Sequence, residues 1–370
     1  MKKALACFVS LSLIAALSAC GGSSSGGSST TAAATTAAET TAAGSSADSA
    51  GSSGAAAEYT GETYSITLGH ICAETSSLHQ ACLKFKEYVE AQSGGKITVE
   101  LHPNAVLGGD EAMLESVALG TLTMVVPSAS VMNTYDPSFG ILAMPYLFSS
   151  TDAAFEAVDG ELGTLLNQKL EDANVGLTNL GYNFNGIRNM TNSKREIKTP
   201  ADLKGLKMRC MSNQMFVTMF DLLGANATPM SWSELYTAMQ QGTVDGEENP
   251  ASLIYESKFY EVQKYISTTE HIYDFCTINI NSDFYNSMDD QAKAILNEAL
   301  KDYLVDYQRD LEVSQNEDFL KKLADAGMTV TYLTDEERAA FAELVDPMYD
   351  TAAEDYGEDV WNVVKDYRSN

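Results

Sequence analysis

The chain has 370 residues, of which 51 are Asp or Glu and 23 are Lys or Arg, so the formal net charge is −28 at pH 7. This charge argues against nucleic acid as a partner, because a surface that binds nucleic acid needs clustered cations. The composition is typical of a globular α/β protein, and the roughly 310 residues after the first 58 suffice for two lobes of ordinary size.

Residues 1–20 have the organisation of a bacterial signal segment. Lys2 and Lys3 form a charged start, Leu5 to Leu17 is largely apolar, and the ending Leu-Ser-Ala-Cys resembles the lipobox of bacterial lipoproteins. The apolar run is too short to span a membrane as a helix. We therefore expect an extracytoplasmic chain, periplasmic or held on the outer face of the cytoplasmic membrane by a lipid on Cys20. Cleavage of an ordinary secretion signal nearby is the alternative.

Residues 21–58 are almost wholly Gly, Ser, Thr and Ala, with no apolar residue larger than alanine. Such a segment cannot form a core, so it is predicted to be a disordered tether with a mean reach of roughly 35 Å. A formal G-x-S-x-G match at 22–26 has no strand before it and no helix after it, which argues against a hydrolase.

Alternating strand and helix patterns begin after the tether. The helix from Ser77 to Gln92 keeps its apolar residues at helical spacing and ends at a Gly-Gly pair. The predicted elements are a strand Tyr64 to His70, this helix, a strand Lys96 to Leu101, a helix Asp110 to Leu119 and a strand Leu122 to Val126. The order predicts a first parallel-sheet lobe.

A second set of the same kind surrounds Arg209. In the strand from Leu206 to Cys210 the apolar residues face a core, whereas Arg209 points the other way. A helix from Asn213 to Leu223, a strand from Asn226 to Met230 and a helix that opens at Ser231 follow. This order predicts a second parallel-sheet lobe.

Polar and aromatic residues stand at the junctions where such sheets bind ligands. Arg209, Trp232 and Asn249 follow or end predicted strands, and a guanidinium matches a carboxylate in fork geometry. Two alternatives stay open at this point: Arg209 as a surface cation paired with a neighbouring carboxylate, and Trp232 as a buried packing residue.

Several segments together resemble a known family. They are GIRNMTNSKREIKTPADLKGLKMR, GANATPMSWSELYTAMQQGTVDGEENP, LGHICAET, LHPNAVLGGDEAMLESVALGTL and SKFYEVQKY. From about Tyr64 onward the chain resembles the substrate-binding proteins of TRAP transporters, the DctP family. The resemblance implies that Arg209 forms a two-pronged ion pair with a ligand carboxylate, that Arg188 and Asn249 also contact it, and that Trp232 forms a wall of the pocket.

The far end of the implied pocket decides which organic acid is bound. Asp110 and Ser128 match family positions that contact that end, and His70 and Glu74 are the other residues expected there. Asp110 equally suits the N-cap of its helix. The resemblance leaves a C4-dicarboxylate and a sugar acid open.

The fold implied by the resemblance is an α/β type II periplasmic-binding-protein fold, with two lobes around a ligand cleft and a long helix spanning both. Lobe I is predicted at 59–185 plus 275–314, and lobe II at 186–274 plus 315–370. Helix-like spacing runs from Pro250 through Val262, and a charge-rich helix is predicted from Asp289 to about Ala326.

The implied function is capture of a small organic acid and its delivery to a TRAP membrane permease. A receptor that presents the same lobes to a membrane signalling kinase is the alternative. The sequence shows no credible pair of nucleophile and base and no phosphate-binding loop, so an enzyme is not predicted.

No metal or cofactor is predicted either. His70, Cys72, His79 and Cys82 lie close in sequence, but their spacing does not match a zinc finger. Buried free thiols are the preferred prediction for the mature cysteines, with a bridge from Cys72 to Cys82 left open. These cysteines are Cys72, Cys82, Cys210 and Cys276.

Overall fold

The computed structural model describes residues 58–368. The predicted signal segment, Cys20 and all but the last residue of the predicted tether lie outside the described residues. None of the described helices is both long enough and apolar enough to cross a membrane.

The described residues form one sheet whose strand order is β2-β1-β3-β8-β4-β7-β5-β6, with β9 beside β8. The strands are β1 Tyr64–Gly69, β2 Ile97–His102, β3 Met124–Val125, β4 Leu177–Asn192, β5 Lys207–Cys210, β6 Asn226–Pro229, β7 Gly246–Pro250, β8 Tyr265–Asn281 and β9 Thr329–Thr331. The first three strands pair in parallel, as do β5, β6 and β7. These two groups agree with the two predicted parallel sets of strands.

Helices cover the sheet. They are α1 Ser77–Gln92, α2 Asp110–Ala118, α3 Thr151–Asp159, α4 Glu161–Ala173, α5 Gln214–Leu223, α6 Trp232–Gln241, α7 Ala251–Glu256, α8 Ser282–Ser287, α9 Asp290–Ala299, α10 Gln308–Asp325, α11 Asp335–Leu344, α12 Pro347–Tyr356 and α13 Glu358–Val364. A capping box opens α11, where the Glu337 carboxylate accepts from the Thr334 backbone N–H and the Thr334 hydroxyl accepts from the Glu337 backbone N–H. Ser231 is the N-cap residue of α6, but its hydroxyl bonds the Glu234 carboxylate and not the helix backbone.

Two long antiparallel strands, β4 and β8, connect the lobes. They pair from Leu177 opposite Asn281 to Asn192 opposite Tyr265, with three shifts in register. One shift lies between Phe184 and Gly186, where Gly186 has a φ of 118° and a Cβ would stand 2.7 Å from the Pro250 side chain. A residue other than glycine would therefore disturb this bulge.

The helix that spans both lobes is not the segment after Pro250. That segment forms only α7, a short 3₁₀ turn and then β8. The spanning helix consists of α9 and α10 joined by a π-helical stretch, Leu300–Tyr307. Its Glu312 accepts hydrogen bonds at 2.5 Å from Ser77 of α1 and at 2.5 Å from Ser252 of α7. The correction follows from length, because α7 has only six residues, whereas α9, the π-helical stretch and α10 run without a break from Asp290 to Asp325.

The core does not divide cleanly at the predicted lobe boundaries. The largest hydrophobic cluster includes Phe139, Phe184, Met208 and Tyr349, and the Tyr349 hydroxyl donates to the Pro145 carbonyl at 2.6 Å. The boundaries given above for lobes I and II accordingly stay predictions.

Candidate ligand-binding site

A cavity lies between the two parallel groups of strands. Residues of β4, β5, β7 and β8 line it, together with residues that follow the carboxyl ends of β1 and β3. This is the edge where parallel sheets bind ligands. Six of the residues singled out from sequence line it: Arg188, Arg209, Asn249, Trp232, Asp110 and Ser128.

Arg209 is a buried cation without a carboxylate partner among the described residues. Leu206, Met208 and Cys210 fill the core face of its strand as predicted, and Arg209 itself is only 2% exposed. Its Nε donates to the Met230 carbonyl at 3.0 Å, and no described carboxylate lies within 4.0 Å of its nitrogens. Burial lowers the pKa of Arg209. The alternative of a surface cation paired with a carboxylate is therefore wrong.

Arg188, in contrast, is almost saturated by protein acceptors. Its Nε and Nη2 bind the two Glu248 carboxylate oxygens at 2.5 and 2.8 Å, and Nη2 also donates to the Glu248 carbonyl at 2.6 Å. Nη1 donates to Asp274 at 2.6 Å. A guanidinium has five N–H donors, so one hydrogen on Nη1 is left for a ligand in the cavity.

The two carboxylates around Arg188 behave differently. Burial favours the neutral form of both, but Arg188 and His271 outweigh it at Glu248 and lower the pKa of that carboxyl to about 2. At Asp274 burial outweighs the attraction of Arg188, and the pKa is raised. His271 also lies 3.2 Å from the Glu248 carboxylate through its Nε2. Sequence reasoning missed Glu248, Asp274 and His271, although Glu248 stands directly before Asn249.

Asn249 lies on β7 and is buried beside the arginines. Its Nδ2 donates to the Glu247 carboxylate at 2.5 Å, and Thr191 donates to the other Glu247 oxygen at 2.7 Å. Burial raises the pKa of Glu247 to about 7. The Glu247 contact fixes the orientation of the Asn249 amide, so that its side chain lines the cavity in one position.

Trp232 both packs and lines the cavity. It is the first residue of α6, it is half-buried, and its ring lies 5.4 Å from the Phe259 ring, centroid to centroid. The ring therefore joins the second-lobe cluster on one side and borders the cavity on the other.

Asp110 and Ser128 form the first-lobe side of the cavity. Gly109 is the N-cap of α2 and Asp110 its first residue, so the alternative reading of Asp110 as N-cap is wrong. One Asp110 oxygen, Oδ2, accepts from the Ser128 backbone N–H at 3.0 Å, whereas the buried Oδ1 has no partner among the described residues. Burial raises the pKa of Asp110 to about 7.

His70 and Glu74 do not line this cavity, which corrects their predicted place at the distal end of the ligand. The His70 ring is fully buried, its Nε2 lies 3.1 Å from His79 Nδ1, and burial lowers its pKa to about 3. Glu74 is exposed on the loop after β1. The sequence shows that His70 follows a strand, but it does not show on which side of the sheet the ring lies. In the structure the ring is buried in the core.

Metal and disulfide chemistry are not found in the part of the chain that the structure describes. No group of three or more potential metal ligands clusters there. Cys72, Cys82, Cys210 and Cys276 are all buried and free, so the bridge from Cys72 to Cys82 is not formed.

Comparison with known proteins places the chain in a family. The model of the DctP family, described as bacterial extracellular solute-binding protein, family 7, matches residues 68–355. The chain belongs to the DctP family. The family consists of binding proteins that serve transport and not of enzymes, so the prediction of an extracytoplasmic solute-binding protein is confirmed.

Relatives of known name support the assignment to DctP. The 2,3-diketo-L-gulonate-binding periplasmic protein YiaO of Escherichia coli (strain K12) is 33% identical over 75% of this chain and 84% of its own length. The C4-dicarboxylate-binding periplasmic protein DctP of Rhodobacter capsulatus is 33% identical over 82% of this chain and 91% of its own length.

A solved structure supports the two-lobed fold of this DctP-family chain. The sugar acid binding protein DctPAm from Advenella mimigardefordensis strain DPN7T, in complex with galactonate, is 34% identical with a TM-score of 0.79. The match covers 83% of this chain and 98% of that chain. The predicted TRAP-type binding-protein fold is thereby confirmed.

Proposed function

We propose that this chain captures a small organic acid, a C4-dicarboxylate or a sugar acid, in the cavity around Arg209. The observation that carries the proposal is the buried Arg209 guanidinium, whose terminal nitrogens have no carboxylate partner among the described residues. A buried charge without a counter-ion is unfavourable, and a ligand carboxylate would supply one in fork geometry.

Neighbouring groups complete the proposed carboxylate site. Arg188, which has one N–H of Nη1 without a described acceptor, and Asn249 line the same cavity, and Trp232 supplies an apolar wall. Glu248 and Asp274 hold Arg188 in place, so its free hydrogen is already oriented before a ligand arrives. The named relatives above bind organic acids, which supports the same ligand class here.

Ligand binding would be coupled to closure of the lobes. In the proposal, lobe I at 59–185 plus 275–314 supplies Asp110 and Ser128, and lobe II at 186–274 plus 315–370 supplies both arginines. A ligand that contacts both sides stabilises the closed arrangement over the open one. The bulge at Gly186 and the irregular pairing of β4 with β8 give these strands local points of bending.

Delivery and attachment complete the proposal. The closed, loaded protein would hand its ligand to a TRAP membrane permease. A lipid on Cys20 and the tether at 21–58 would keep it at the outer face of the cytoplasmic membrane, within reach of that permease.

The test is a thermal-shift screen of the chain against organic acids, each paired with its neutral amide. A ligand at about 100 times its dissociation constant adds roughly 2.7 kcal/mol to the free energy of unfolding, which raises the melting temperature by a few degrees. We expect shifts with acids and none with the matching amides. Equal shifts with acid and amide, or shifts with neutral solutes alone, would refute a carboxylate site.

A further inference from the structure

A second, smaller cavity adjoins the ligand cavity. Cys72, Asn185, Leu253 and Cys276 line both cavities, so the second one continues the first beyond these four residues. We call this second cavity the annex. It lies under the spanning helix, which contributes Gln308 and Glu312 to its lining.

Asn183 is the feature of the annex that points to a ligand. It lies on β4 opposite Cys276, is 1% exposed and lines the annex. Both polar atoms of its side chain, Oδ1 and Nδ2, lack any hydrogen-bond partner among the described residues. A buried amide without partners is strongly unfavourable, and native proteins satisfy such groups almost always. A polar group of a ligand in the annex would supply the missing hydrogen-bond partners.

A third unpartnered atom lies in the ligand cavity. Asp110 Oδ1 is buried in the ligand cavity and accepts no hydrogen bond, although its neighbour Oδ2 is bonded to the Ser128 backbone. A ligand that starts at Arg209 and passes Asp110 would thus meet an open acceptor before it reaches Asn183.

Charge along this path is distributed unevenly. Among the described residues that line the two cavities, Arg188 and Arg209 are the only cations, and neither lines the annex. The annex instead contains the carboxyls of Glu256 and Glu312, and the ligand cavity contains those of Asp110 and Glu111. A second carboxylate at the far end of a ligand would meet carboxyls and no counter-ion.

The hydrogen-bonding needs of the three open atoms select one chemical group. A carboxylate only accepts hydrogen bonds and an ammonium only donates them, whereas a hydroxyl does both. Asn183 Oδ1 needs a donor and Asn183 Nδ2 needs an acceptor. Asp110 Oδ1 needs a donor when the carboxyl is ionised and an acceptor when it is protonated. Hydroxyls along one chain can serve all three.

We infer that the ligand is a sugar acid with a single carboxylate, held at Arg209, and with a hydroxylated tail that passes Asp110 and enters the annex at Asn183. This inference rests on the proposed function and chooses between the two ligand classes that it leaves open. Asn183 and Asp110 would be the residues that determine this specificity.

Isothermal titration of the full chain with matched acids tests the inference. Galactonate and galactarate have the same carbon chain and differ in the second carboxylate, and succinate is the short dicarboxylate. We expect galactonate to bind at least about tenfold more tightly than either dicarboxylate, which corresponds to about 1.4 kcal/mol. Equal or tighter binding of galactarate or succinate would overturn the inference.

Asn183→Leu removes both amide atoms at similar volume. We expect it to lower the affinity for galactonate at least about tenfold relative to that for glycolate, which is too short to reach the annex. Asn279→Leu is the matched control, because Asn279 is also buried on a crossing strand with an unpaired Oδ1 but lines neither cavity. If the ratio of the galactonate affinity to the glycolate affinity is unchanged in Asn183→Leu, the annex holds only water and the inference is wrong.

Asp110→Asn keeps the shape and an acceptor for the Ser128 N–H, so it tests the same path even if Asn183→Leu does not fold. We expect the preference for galactonate over galactarate to shrink several-fold, because a like charge is removed. An unchanged preference counts against the inference. The proposed function itself fails if no acid binds to the unmutated chain. It also fails if the Arg209→Lys variant binds every acid with the affinity of the unmutated chain.

Discussion

Arg188 and Arg209 line the same cavity, but the protein saturates only one of them. Arg188 donates four of its five N–H groups to Glu248 and Asp274, whereas Arg209 donates its Nε to the Met230 carbonyl and has no described carboxylate within 4.0 Å. Arg188 thus belongs to the folded framework, and Arg209 is the cation with free capacity. Substitutions at the two positions should separate stability from binding.

Arg209→Lys tests the anchor. A lysine keeps the charge but cannot form the two parallel bonds, and each charge-assisted bond contributes about 1.5–3 kcal/mol, so we expect at least about a tenfold loss of affinity. The melting temperature without ligand should change little, because Leu206, Met208 and Cys210 still fill the core face. Calorimetric titration checks the affinity, and wild-type affinity in this variant would exclude Arg209 as the anchor.

Arg188→Met should damage the fold. It leaves Glu248 and Asp274 buried without their cation, and removal of one partner from a buried ion pair costs about 3–5 kcal/mol. Urea unfolding measures the loss. Arg209→Met is the matched control, and we expect it to leave the free energy of unfolding unchanged or higher, because no described carboxylate loses a partner. If both variants lose the same free energy of unfolding, Arg188 and Arg209 do not differ in their contribution to stability, and the prediction is wrong.

Trp232→Ala should affect ligands unequally. The ring is half-buried and contacts Phe259, so the loss of stability should stay below the about 3–5 kcal/mol typical of a fully buried tryptophan. Ligands that touch the wall should lose more affinity than small ones, which a panel of titrations would show. Equal losses of affinity for large and small ligands would mean that Trp232 does not form a wall of the pocket.

The free energy of unfolding should fall as pH rises through neutrality. Burial raises the pKa of Asp110, Glu247 and Glu256 to about 7. At pH values between the ordinary pKa of these carboxyls and about 7, the folded chain therefore binds more protons than the unfolded one. Their contribution is present at low pH and is lost as pH rises to about 7. Urea unfolding at about pH 5.5 and about pH 8 measures the difference.

Glu247→Gln isolates one part of this dependence from the general effect of a net charge of −28. The variant should show a smaller change in stability over the same interval, because one of the raised carboxyls is absent. Glu248 has a pKa lowered to about 2, so its contribution is lost only at more acidic pH and does not interfere. An identical pH dependence in variant and parent would argue against a raised pKa at Glu247.

Elements with strong local signals were predictable from sequence. The bounds of α1 agree to the residue, since Ser76 caps one end by accepting from the His79 N–H and a Gly-Gly pair follows the other. The strand around Arg209 was also predicted correctly, because its apolar residues alternate. The placement of six cavity residues depended partly on the family resemblance.

The long strands β4 and β8 were largely missed, and the reason is physical. Buried polar residues interrupt their apolar alternation, among them Asn183, Arg188, Thr269, His271 and Asp274. Arg188 is satisfied by partners distant in sequence, since Glu248 and Asp274 lie 60 and 86 residues further along the chain. Local patterns carry no information about pairs of this kind.

The pairing of β3 with β8 bears on when the chain can fold. Met124 lies opposite Ile280 and Val125 opposite Asn279, so the sheet of the first lobe takes one of its strands from a segment made more than a hundred residues later. Until that segment is available, β3 lacks a neighbour on one side, and contacts between distant residues form slowly. The nascent chain would therefore remain open for most of its synthesis. A sheet that closes this late is compatible with export of the chain in unfolded form.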